Sequence, residues 1–138
     1  MVSIKTRTIV NIFQRCMKIT DYRTATHCIY CEREFTSGLI RSMLNKTKDH
    51  IIPRSRGGIN NPMNYVAACG HCNELKGRST LMEFAAHITM KMRGVSINDP
   101  IRPMYQRMRI NAMKLYNKTS QLHRSTPITG KSNIFRIW

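Results

Sequence analysis

The chain has 138 residues, 41% of them apolar, and its 23 Lys and Arg against 7 Asp and Glu leave a formal charge of +16. That length suits one domain with a modest core, and the ordinary apolar content excludes wholesale disorder. No run of about 18 apolar residues is present to span a bilayer, and the start "MVSIKTRTIVNIF" lacks the apolar core and cleavage site of a secretory signal, so an intracellular, cytoplasmic protein is expected.

The excess charge is uneven: net +4 over residues 1–25, +3 over 26–90 and +9 over 91–138. A field of that sign concentrates polyanions at the surface and speeds their association. Neither a membrane nor a small-molecule substrate is expected. From the N-terminus, residues 1–25 read as a basic extension in which Ile9, Ile12, Phe13, Cys16 and Met17 recur at helical spacing. Cys16 falls on that apolar stripe and reads as a buried small hydrophobe.

Two Cys-x-x-Cys pairs follow, Cys28 with Cys31 and Cys69 with Cys72. Each pair spans a tight turn and presents two sulfurs from one side, so two such knuckles complete a tetrahedral Cys₄ set, the closed geometry of structural zinc. Five cysteines without a secretory signal favour metal thiolates over disulfides, and no strand-helix pattern surrounds either pair as a redox motif would require. His27 and His71 flank the knuckles and read as neighbours, because four cysteines already fill the coordination sphere.

The 37 residues between the knuckles exceed a plain zinc-ribbon gap and should hold an element of their own. "KDHIIP" reads as a short strand stopped by Pro53, "RSRGGINNP" as a loop, "NYVAAC" as a second strand, and "CNELKG" as a short helix closed by Gly77. The fold class expected is therefore α+β: a small ββα core over residues 26–80, braced by zinc. Beyond it, residues 81–138 read as a basic helical extension and tail. Ser79 or Thr80 caps a helix carrying Leu81, Phe84, Ala85, Ile88 and Met92 on one face, with Gly94 as its stop. Asn98 or Asp99 caps the next, with Pro100 at its first position and an apolar stripe from Ile101 to Tyr116. The remainder, ending in Phe135 and Trp138, reads as an extended tail.

Taken whole, "DHIIPRSRGGINNPMNYVAACGHCNELKG" resembles the zinc-bearing, ββα-metal branch of the HNH endonuclease family. The Asp-His pair, the Gly-Gly loop, an Asn before an apolar strand, Cys-x-x-Cys-Asn and Lys-Gly stand in the family's order. Thirteen residues separate His50 from Asn64, and eight separate Asn64 from Asn73. The resemblance covers about Cys28 to Arg78. Its third letter is His in many members and Asn73 here, an HNN arrangement that leaves the choice of catalytic metal open.

The resemblance implies a metal-dependent endonuclease acting on DNA, of the kind carried by a phage or mobile element. Asp49 and Asn73 would hold a catalytic divalent cation such as Mg²⁺, Mn²⁺ or Ni²⁺. His50 would act as general base, imidazole being the side chain whose ordinary titration lies nearest neutral pH. Asn64 would organise the loop that holds His50. The basic residues Lys48, Arg54, Arg56, Lys76 and Arg78 bracket this stretch and are the expected phosphate contacts. Nicking and double-strand cleavage, and monomer and homodimer, stay open. The alternative is a non-catalytic, zinc-stabilised nucleic-acid-binding protein built on the same scaffold.

Overall fold

The structure is a computed structural model that describes residues 22–37 and 42–125, with side chains to residue 119. The expected N-terminal helix with Cys16 lies outside the described residues, as does the tail beyond Ser125; the first residues of that expected extended tail, 119–125, instead continue the last helix. Two antiparallel strands, β1 (Lys46–His50) and β2 (Tyr65–Cys69), are followed by three helices: α1 (Gly70–Lys76), α2 (Leu81–Arg93) and α3 (Arg102–Ser125). The architecture is the α+β arrangement expected, a two-stranded sheet with helices. Among the described residues no helix is long and apolar enough to cross a membrane.

The strands pair Lys46 with Cys69 through to His50 with Tyr65. Alternation then places Thr47 and Asp49, with Val66 and Ala68, on one face, and Lys48 and His50 on the other. β1 stops two residues short of the expected end at Ile52. The reason is local: Ile51 donates its N–H to the Asn64 carbonyl at 2.7 Å, and the Asn64 side chain takes the N–H of Ile52. Pro53 then precedes a single 3₁₀ turn over Arg54–Arg56, closed by Gly57 at φ 89°.

α1 begins two residues earlier than expected because Cys69 itself caps it, its sulfur accepting from the N–H of Cys72. α2 opens on a reciprocal cap. Thr80 Oγ1 accepts from Glu83 N–H, and the Glu83 carboxylate accepts from Thr80 N–H at 2.9 Å. For α3 the expected start moves: Pro100 lies in the turn ahead of the helix and Pro103 falls in its first turn. Asp99 Oδ1 accepts from Ile101 N–H there, and the Arg102 guanidinium donates back to the carbonyls of Met92 and Val95, closing the end of α2.

One apolar core joins all of this. It runs from the knuckle residues Cys28 and Tyr30 through Val66 and Ala68 to Phe84 and Ile88 of α2 and Met108, Ala112 and Leu115 of α3. The core thus runs across the boundary expected at residue 80. At the crossing of layers the Tyr30 ring meets Phe84 edge-on, centroids 5.2 Å apart, and Asn111 of α3 donates to the Tyr30 carbonyl at 2.8 Å. The second helix of the C-terminal region therefore braces the first knuckle directly.

Candidate active site

The four cysteines come together from one tight turn and from the junction of β2 with α1. In the first, Cys28 donates its N–H to the Arg33 carbonyl, and Glu32 turns the chain at φ 63°. In the second, the start of α1 curls Cys72 back over Cys69. All four sulfurs are buried and lie within 4.8 Å of one another, with Cys31 and Cys69 at 3.8 Å. A tetrahedron with Zn–S bonds of about 2.3 Å has an edge of about 3.8 Å, so the cluster fits a zinc ion. Hydrogen bonding among the sulfurs, with Cys28 foremost, holds Cys31 and Cys69 below the ordinary thiol range, Cys69 at about 6. The same sharing, through Cys31 and Cys28 respectively, pushes Cys28 and Cys72 up. Arg33 Nε donates to Cys31 Sγ at 3.4 Å, a contact that favours the thiolate.

Beside this brace lies a groove of about 270 Å³ whose lining includes Asp49, His50 and Asn73 together with Lys48, Arg54 and Arg78. β1 supplies Lys48, Asp49 and His50, the middle of α1 Asn73, the 3₁₀ turn Arg54, and the segment just after α1 Arg78. Asn73 is fixed by its amide nitrogen, which donates to Thr47 Oγ1 at 2.9 Å and the Lys48 carbonyl at 3.3 Å. Its oxygen is the end those two bonds do not use. The His50 ring stands 6.2 Å from Tyr65, edge-on, and its Nε2 lies 3.3 Å from Asn60 Oδ1.

Asn64 is 2% exposed and spends its whole side chain on the loop. Oδ1 accepts from Ile52 N–H, while Nδ2 donates to the carbonyls of Ile52 and Ile59 at 3.0 and 2.8 Å. Asn64 bonds no atom of His50; it shapes the chain on either side of it. Gly58 is what lets the loop close on this clamp, because a Cβ there would collide with the Ile52 carbonyl and stand 2.9 Å from Asn64 Nδ2.

The position of Lys76 departs from expectation. Read from sequence as a phosphate contact, it is 1% exposed and cannot meet DNA from where it lies. Its ammonium donates to Asp49 Oδ1 at 3.0 Å and to the His50 carbonyl at 2.7 Å. The reason is geometric: Lys76 ends α1 on the side packed over the inner face of the sheet, where Asp49 is the facing carboxylate. The Tyr30 hydroxyl takes the other oxygen, Oδ2, at 2.6 Å. Burial raises the Asp49 carboxyl above its ordinary value, against the lowering pull of Lys76 and of the Tyr30 hydrogen bond.

The other expected phosphate contacts stand differently. Lys48 is exposed, its ammonium 4.4 Å from the centre of the Tyr65 ring. Arg54 and Arg78 are exposed on the groove. Arg56 is exposed but donates to the Glu83 carboxylate at 3.0 Å. Sequence reasoning missed Tyr30 and Asn60 altogether. Tyr30 could have been suspected from its place inside a knuckle; nothing in the sequence singles Asn60 out from its Asn-rich loop.

The hard oxygen donors Asp49 and Asn73 share the groove and suit a divalent cation in kind. The carboxylate oxygens, however, already accept hydrogen bonds from Tyr30 and Lys76.

Residues 28–89 match the HNH endonuclease family, a span that takes in both knuckles, both strands, α1 and most of α2. The resemblance drawn from the sequence is thus shown over that segment. A CRISPR-associated endonuclease Cas9 from Corynebacterium diphtheriae is 31% identical over 80 residues, a stretch that is 57% of this chain and 7% of that protein. The chain therefore spans a small fraction of the length of that curated relative. No solved structure matches significantly.

Proposed function

We propose that this protein is a metal-dependent endonuclease that hydrolyses phosphodiester bonds in DNA, with His50 as general base. The observation that carries the reading is the single groove that unites His50, Asp49 and Asn73 with Arg54 and Arg78. Arg54, Arg78 and Lys48 draw the phosphate backbone into the groove by charge. His50 takes a proton from the attacking water through one ring nitrogen, while the Asn60 amide holds the ring by the other side of the imidazole. A divalent cation held by Asp49 and Asn73 would supply charge neutralisation at the phosphate and the leaving 3′-oxygen. Asn64 keeps the loop in the shape that presents His50, and one zinc ion on the four cysteines ties the first knuckle to the junction of β2 and α1.

One observation favours a second reading. The Asp49 carboxylate is already neutralised by Lys76, as it would be in a zinc-stabilised DNA-binding protein without catalysis.

Cleavage of supercoiled plasmid separates the two. Zinc-loaded wild type and His50→Ala are compared in Mg²⁺, Mn²⁺, Ni²⁺ and EDTA. Product that depends on metal and falls by about 10²–10⁴-fold in the variant is expected, and the ratio of nicked to linear DNA reports strand number. DNA binding without cleavage by the wild type in every metal would instead establish the second reading.

A further inference from the structure

The groove carries more cations than a metal site needs. Lys48, Arg54 and Arg78 line it, and Asp49, the anion among its lining residues, is engaged from below by Lys76. That pairing is unlike a surface ion pair. The Lys76 side chain is 0% exposed and that of Asp49 4%, so neither water nor salt screens them. The ammonium also bonds the His50 carbonyl, which keeps it satisfied at one of its three donors if the bond to Asp49 is broken. Tyr30 holds Oδ2, so Oδ1 is the carboxylate oxygen that Lys76 controls.

We infer that Lys76 is a positioning residue that competes with the divalent cation for Asp49 Oδ1, so that cation binding in this protein requires Lys76 to release that oxygen. The inference rests on the proposed metal-dependent reading and deepens it. With Lys76 in place the pair is neutral and the groove around it positive, so a free cation gains little by entering. With Lys76 removed, a buried carboxylate is left uncompensated on the groove that Asn73 also lines, and the same cation meets that charge. The binding constant should therefore rise, not fall, when this buried cation is taken away. A purely structural lysine makes the opposite forecast, since its loss would loosen Asp49 and weaken any ligand there.

The test measures Mn²⁺ binding to the zinc-loaded protein without DNA, by the decrease of the free-ion electron paramagnetic resonance signal, in wild type, Lys76→Met and Lys76→Met with Asp49→Asn. Affinity at least about tenfold tighter in Lys76→Met, returning to the wild-type level in the double variant, is expected from removing one close like charge. Equal or weaker affinity in a folded Lys76→Met overturns the inference. Should that variant not fold, the wild type answers by itself: its buried lysine ammonium is followed by ¹⁵N nuclear magnetic resonance during a Mg²⁺ titration with an uncleavable phosphorothioate duplex. A shift or loss of the Lys76 signal in step with the Asn73 amide supports competition. A Lys76 signal unchanged while Asn73 saturates, or no response at Asn73, overturns it. Plasmid cleavage by the wild type is scored in parallel, so a working nuclease whose Mn²⁺ affinity ignores Lys76 refutes the competition and leaves the nuclease reading standing.

Discussion

Asp49 and Lys76 show how a residue's neighbours set its chemistry. Each is polar, each is buried, and each satisfies the other. Removing one partner strands a charge in the core, and such losses run to about 3–5 kcal/mol. Asp49→Ala should accordingly destabilise the fold by that order in a urea melt, whereas Asp49→Ala with Lys76→Met should recover much of the loss. A result in which both substitutions simply add would mean the two side chains are not coupled. At the surface the arginines divide by the same logic. Arg54 is exposed on the groove, while Arg56 already holds Glu83. Arg54→Ala should lower the salt dependence of DNA binding by about 0.9 in the log–log slope, one phosphate contact's worth. Arg56→Ala should change it less. Fluorescence anisotropy over a salt series checks both.

The elements that place the site are short, so their ends matter. α2 depends on the reciprocal cap between Thr80 and Glu83, and Thr80→Ala should cost about 1 kcal/mol and a few degrees of melting temperature. Plasmid cleavage by that variant should stay near wild type, because Thr80 touches nothing in the groove. Glu83 adds a pH signature. Its carboxyl is held below the ordinary value, first by the Thr80 N–H and then by Arg56. A depressed carboxyl contributes stability above its unfolded titration, near 4.5, and loses it as pH falls through the lower folded value. The stability gap between wild type and Glu83→Gln should thus shrink between about pH 5 and about pH 3. Glu83 is largely exposed, so the gap itself should be small; a gap that widens on acidification would contradict the assignment. Most of these elements were legible beforehand. The α2 face from Leu81 to Met92 and the Gly77 stop follow from spacing and side-chain type. The start of α1 did not, because the cap that moved it is a cysteine recruited by the knuckle.

At the scale of the whole molecule, the four-cysteine cluster and the apolar core of the described residues are one unit. Cys28, Cys31, Cys69 and Cys72 belong to the same buried set as Phe84, Met108 and Leu115. A zinc content of one ion per chain is expected by elemental analysis. Its removal by a strong chelator should cost several kcal/mol and reach beyond the knuckles, broadening the melt of α2 and α3 as seen by circular dichroism. Cys69→Ala should do the same, since it deletes both a sulfur of the cluster and the side-chain cap of α1. A chelated protein with an unchanged, cooperative melt would show that the helices stand without the ion.

By itself the sequence determined the chemistry available to this protein: two thiol pairs, an Asp-His pair and two asparagines at set intervals, and a basic surround. Those are properties of residue type and spacing, and the chain carries them in any conformation. Only the tertiary structure decided which groups meet. Strand alternation sends Asp49 inward beneath α1, and the end of that helix brings Lys76 onto its carboxylate while the knuckle brings Tyr30. Twenty-seven and nineteen residues separate those partners from Asp49 along the chain, so no local pattern could pair them. The burial that makes the pairing strong exists only once the two layers have closed on each other.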